Sequence, residues 1–347
     1  MTKQQTAKMV GMVLALLGIM AVLTAAHAQV VMTANDANGA TTSFNGAGNW
    51  SPAGAPSAGS TYSTVGYLIR GPSVAGSYTF AGDSLTVGGG SGGASGGAAF
   101  LTSSSIVTPN NNALLFKATG ETLTVANLIL DGAQIRDGNG NGNWAALNGN
   151  ITVTANGGAF MAQDTNIINS AISGSGPIYI GDNGNGSSTR VIVFTSGSST
   201  FNGNIVFNNT HTSAAYSLLT FAPGSLMNFT IGANGVNNNI TGISGSGTSG
   251  TLTLNGNFNF NLAGADNTIG DSWDIVDPSV TTTYGGTFAV NGFTQNGSLW
   301  DDIANGVDYE YNQGDGLLSV VPEPSTFVLA GLGFASLALI RARRRQA

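Results

Sequence analysis

Short apolar bursts separated by turns of Gly, Asn, Ser and Asp run through most of this chain. The bursts at 64–69, 77–81, 83–88, 122–130, 150–155, 177–181, 190–195 and 204–207 predict strands, because β-branched, aromatic and leucine residues cluster there. So do those at 218–222, 228–233, 251–262, 273–276, 287–290 and 317–321. In TLTLNGNFNFNL (251–262), Leu252, Leu254, Phe258, Phe260 and Leu262 share one face. Thr251, Thr253, Asn255, Asn257, Asn259 and Asn261 share the other. This period-two alternation predicts one buried face and one wet face. Nothing between 29 and 321 has the periodicity of a substantial helix.

The spacing of the bursts carries more than any one of them. Leu123, Ile151 and Ile178 open similar segments 28 and 27 residues apart, and Val191 to Leu218 is again 27. Self-similarity at such a period predicts a solenoid whose coils stack edge to edge. The expected fold is all-β, a right-handed parallel β-helix; tandem antiparallel β-sandwiches are the alternative. Gly and Asn suit the many turns a β-helix needs, because both tolerate positive φ. The predicted organisation is a signal peptide over 1–28, an N-terminal β capping region over 29–86, a Gly-rich loop over 87–100, a β-helix body over 101–321 and a distinct tail over 322–347.

The two ends differ from the body. Lys3 and Lys8 precede an apolar run, Met9 to Leu23, and Ala26-His27-Ala28 supplies a small-x-small cleavage pattern that places the mature start at Gln29. At the other end stand Pro322-Glu323-Pro324, an apolar run from Phe327 to Ile340, and the cluster Arg341, Arg343, Arg344 and Arg345. As a helix that run spans about 21 Å, short of a hydrocarbon core of about 30 Å. The arginines favour the cytoplasmic side and leave Pro-Glu-Pro outside. The prolines keep the segment ahead of the helix extended.

Charge narrows the function classes. Residues 29–321 hold four basic side chains, Arg70, Lys117, Arg136 and Arg190, against 16 acidic ones, a net −12. Such a body cannot neutralise phosphates, so no nucleic-acid partner is expected. The chain has no cysteine, which removes disulfides, thiol catalysis and thiolate metal sites.

With these residues in view, VPEPSTFVLAGLGFASLALIRARRR resembles the PEP-CTERM sorting signal of exported bacterial proteins. The resemblance implies Pro322, Glu323, Pro324, Arg341, Arg343, Arg344 and Arg345 as the sorting signal, with an exosortase-type processing enzyme as partner. It also implies a transient membrane hold through a transmembrane helix at 327–340. Export through the inner membrane to the cell surface, outer membrane or extracellular matrix follows. The body resembles autotransporter-type β-helix segments: the stretch 172–207 is similar to autotransporter-associated strand repeats, with Thr200-Phe201-Asn202-Gly203 as one element. The stretches 270–293 and 309–321 resemble the closing segment of such proteins.

Candidate chemistry is thin. His211 is the one histidine of the body, and no G-x-S-x-G elbow accompanies it. Asp301-Asp302 is the one adjacent acidic pair. Asp137, Asn139, Asn141 and Asn143 occupy positions 1, 3, 5 and 7 of a calcium-loop pattern with Gly142 at 6, but Asn148 replaces the bidentate glutamate at 12. This is a weak calcium candidate and no other cofactor is expected. Trp50, Trp144, Trp273 and Trp300 are aromatics a sugar could stack on. The expectation is a structural, non-enzymatic protein of the cell surface or matrix, touching exopolysaccharide or cell-surface glycan. A glycan-binding module or adhesin is the first alternative, and a polysaccharide-degrading β-helix enzyme the second.

Overall fold

The computed structural model describes residues 29–36, 43–89, 112–137, 144–182, 190–207, 218–242, 250–322 and 341. From 29 to 322 these residues form an all-β structure whose sheets are mostly parallel, with one 3-10 turn at Ala47–Asn49. A long ladder of 13 described strands runs from Trp50–Ser51 to Thr281–Tyr284. A second ladder of seven runs from Ile69–Arg70 to Ile240–Gly242. The chain visits the two by turns. Ala113–Phe116 belongs to the second ladder, Glu121–Asp131 to the long one, Ala133–Asp137 to the second and Trp144–Val153 to the long one. Leu226–Thr230, Asn257–Asn261 and Ala289–Val290 make a third, parallel sheet.

Apart from the contact of Gln29–Met32 with Trp50–Ser51, the ladders pair in parallel, so tandem antiparallel sandwiches do not describe this body. The spacing of 27 between Val191 and Leu218 is a literal register, since these residues are ladder partners. The spacing from Leu123 is not: Leu123 pairs Leu147, and Ile151 pairs Leu128 and Ile172. Ile178 lies in the other ladder, opposite Ile205. The strands Thr61–Ser63 and Ser84–Gly88 continue the same long ladder, the latter pairing Leu85 with Leu128. Val87 and Gly88, assigned to the Gly-rich loop by composition, end that strand.

Two predicted strands need correction. At 64–69 the chain turns, because Val65 (φ 43°) and Gly66 (φ 89°) take left-handed conformations; only Ile69 enters a strand. The run 251–262 is two strands, Thr251–Leu254 and Asn257–Asn261, parted at a corner by Asn255 and Gly256. Alternation survives the corner, with Leu252, Leu254, Phe258 and Phe260 all buried.

The core is built as columns. Leu123, Leu147, Ile168, Phe194, Phe221 and Leu254 follow one another in register down the long ladder, all buried. Leu114, Ile135, Phe160, Ile180 and Phe207 do the same in the second. Phe160 and Phe194 join the columns with ring centroids 5.3 Å apart, edge to face. Each such pair adds about 0.5–1.5 kcal/mol to the area it buries. Outside, a polar column matches the apolar one. Asn169 Nδ2 donates to Asn148 Oδ1 at 2.9 Å, and Thr195 Oγ1 donates to Asn169 Oδ1 at 2.8 Å.

A five-stranded antiparallel sheet closes the C-terminal end, in the order Ser272–Asp274, Leu317–Val321, Val307–Asn312, Leu299–Ala304, Thr294–Asn296. Its buried face packs Tyr311 and Trp300 against the last aromatics of the ladders, with Tyr311–Phe258 at 5.9 Å and Trp300–Phe288 at 5.7 Å between centroids. Among the described residues no helix is long and apolar enough to cross a membrane. The predicted span at 327–340 lies outside them.

Candidate functional site

The tail leaves from an interior strand of the antiparallel cap, Leu317–Val321, the second of its five. Leu318 and Val320 are buried, and their strand is paired on both sides: Leu318 with Trp273 and Tyr311, Val320 with Tyr309. Further backbone bonds fix its end, Val320 N–H to Asp271 O at 2.9 Å and Gly270 N–H to Val320 O at 3.0 Å. Val321 faces Asp308 in register, and Pro322 then ends the strand, having no N–H to continue the ladder. Glu323, Pro324, Arg343, Arg344 and Arg345 fall outside the described residues, while Arg341 is described and exposed.

Residues 320–345 match the model of the PEP-CTERM protein-sorting motif. The PEP-CTERM motif implies export, processing by an exosortase, and a surface or extracellular location. It begins inside the folded cap, at Val320, two residues before its first proline. No curated protein and no solved structure matches the chain.

At the opposite end, Gln29 opens the first described strand and pairs Thr61, while Ala26 and Ala28 lie outside the described residues. Asn139, Asn141 and Asn143 of the calcium candidate also lie outside. Asp137 is buried, and its carboxylate accepts the backbone N–H groups of Gln163 at 2.5 Å and Asp164 at 3.1 Å. Burial pushes it up to about 6, with the nearby Asp164 adding to the effect. Its two oxygens thus clasp the backbone at Gln163 and Asp164 to the end of the strand Ala133–Asp137. Among the described residues no group of three or more His, Asp or Glu side chains could hold a metal ion.

His211 lies outside the described residues. Asp301 and Asp302 lie side by side on Leu299–Ala304, opposite Glu310 and Tyr309. Successive strand residues point to opposite faces, so the two carboxylates do not converge on one substrate. Trp50, Trp273 and Trp300 are buried in the core, and Trp273 Nε1 donates to Ala233 O at 2.9 Å. Trp144 alone of the four is exposed, at 46%.

Sequence reasoning missed the other strongly perturbed acid. Glu121 is fully buried where the second ladder passes into the long one, and its Oε2 accepts Lys117 N–H at 2.8 Å and Ala118 N–H at 3.2 Å. Burial pushes it up to about 7, against the opposing effect of those two bonds. A glutamate opening an apolar strand gives no sequence signal that it will face inward; the fit is made by Gly71, where any Cβ would collide with the Glu121 carboxylate.

Proposed function

We propose that this chain is an exported structural protein of the bacterial cell surface or extracellular matrix, sorted by an exosortase, with a right-handed parallel β-helix as its body. The sorting motif at 320–345, continuous with the last cap strand, carries the reading. Parallel strands that alternate between two ladders, with in-register apolar columns, support the β-helix. Right-handed winding follows the general rule for connections between parallel strands. The membrane hold through 327–340 is transient in this reading, because the span is short.

The deciding experiment is the intact mass of the native protein from membrane, surface and medium fractions. A mature chain starting near Gln29 and ending near Pro322-Glu323-Pro324 is the expected result. A chain that keeps Arg341–Arg345 in the membrane fraction would overturn processing and leave only a tether.

A further inference from the structure

The outer face of the second ladder changes character along its length. Ala113, Gln134, Ala159 and Tyr179 succeed one another in register and are all buried, at 0, 1, 0 and 7% exposure. At the next strand the face opens: Val206, the partner of Tyr179, is half-buried, and a groove of about 370 Å³ begins there. Pro177, Tyr179 and Val206 supply its apolar lining. The rest is amide and hydroxyl, from Ser175, Asn202, Asn204 and Asn237 among others, and among the described residues no charged side chain lines it.

The amides are fixed in place. Asn204 Oδ1 accepts Asn239 N–H at 3.0 Å, and Asn237 Nδ2 donates to Asp274 O at 2.7 Å. Asn238 Nδ2 donates to Asn228 O at 2.9 Å, and its Oδ1 accepts Thr230 N–H at 2.7 Å. Asn204 Nδ2 is left as a donor and Asn237 Oδ1 as an acceptor, neither with a protein partner among the described residues. Asn202 is exposed beside them. A rim that both donates and accepts over an apolar floor, without charge, matches a ligand whose hydroxyls do both and whose ring faces carry C–H groups. Its size is within the roughly 300–1,000 Å³ of ligand sites, and it opens to solvent, which suits part of a longer chain.

We propose that this groove binds an uncharged polysaccharide chain. The proposal deepens the matrix reading, on which the natural source of the glycan rests; binding itself does not depend on how the tail is processed. The test is affinity electrophoresis of the full-length chain, in mild detergent, through native gels containing hydroxyethyl cellulose, dextran or a soluble β-1,3-glucan, with alginate as the acidic comparison. Retardation by at least one neutral polymer and none by alginate is expected. Asn204→Asp keeps the acceptor for Asn239 N–H while removing the free donor, and Asn202→Ile puts an apolar, non-stacking side chain in place of an exposed amide of the lining. Each should weaken retardation about tenfold, the size of one to two lost hydrogen bonds, with thermal unfolding unchanged. No retardation in any neutral gel, equal retardation in alginate, or full retardation of both variants would each overturn it. A failed sorting experiment with intact retardation would remove the matrix assignment and leave the groove.

Discussion

The hydroxyls of Tyr284 and Tyr311 meet at 2.7 Å, joining the last strand of the long ladder to the antiparallel cap. Tyr311 is fully buried, and burial together with its neighbour holds its phenol well above the ordinary range. Replacing either tyrosine by Phe strands the other hydroxyl, so each single variant should lose about 1–2 kcal/mol. The double variant should lose less than the sum. Urea unfolding of the three variants measures this; strict additivity would mean the two hydroxyls are not coupled.

Glu121 gives the body a pH dependence of definite sign. Its folded value, about 7, lies above the ordinary 4.5, so the fold favours the protonated form. Its contribution is fully present below about pH 4.5 and is lost as pH rises through about 7. Asp137 acts in the same direction over a lower window, from 3.8 to about 6. Stability should therefore fall between pH 5 and pH 8, by about 2–3 kcal/mol from Glu121. Glu121→Gln should flatten that slope in urea titrations at stepped pH, and a slope unchanged by the substitution would refute the assignment.

Gly149 stands at a β-bulge in the strand Trp144–Val153, where the register shifts before Asn150. Its φ of 111° and the carbonyl of Val125 leave no place for a Cβ. Gly149→Ala should cost about 1–3 kcal/mol through strain at that conformation. A melting temperature equal to that of the parent would show that the bulge relaxes freely. Gly286, a turn glycine with nothing near its Cβ position, serves as the control.

Phe194 lies between Phe160 and Phe221, at 5.3 and 5.5 Å. Phe194→Ala should lose about 3–5 kcal/mol, the range for emptying a buried aromatic site. Phe194→Leu should recover most of that, because it refills the column. Chemical denaturation of the pair separates packing volume from ring geometry.

The long ladder was legible in the sequence because one of its faces is wet. Strands such as Thr251–Leu254 and Val191–Phe194 alternate inward and outward residues, and the chain shows it. The second ladder was legible only in part, at Ile178–Asp182 and Ile205–Phe207. Ala113–Phe116, Ala133–Asp137 and Gly158–Ala162 are buried on both faces, so alternation disappears. Their Ala, Gly, Met and Gln residues also lack the β-branched signature. The hairpin Leu299–Ala304 to Val307–Asn312 left a usable sign in Asn305-Gly306, both at positive φ in a tight turn. Of the functional features, the tail was readable as three contiguous parts. The groove at Tyr179 was not, because its polar lining comes from three separate segments, from Ser175 through Asn202 and Asn204 to Asn237 and Asn238.

The place of the strand Leu317–Val321 in the cap has a mechanical consequence. It is an interior strand, bonded to Ser272–Asp274 on one side and Val307–Asn312 on the other. Tension applied through Pro322 along the strand axis loads two rows of hydrogen bonds in shear, all at once, where an edge strand peeled sideways would give way bond by bond. Whatever grips the tail therefore pulls against the whole cap, and the folded body holds its shape while the peptide beyond Pro322 is drawn taut.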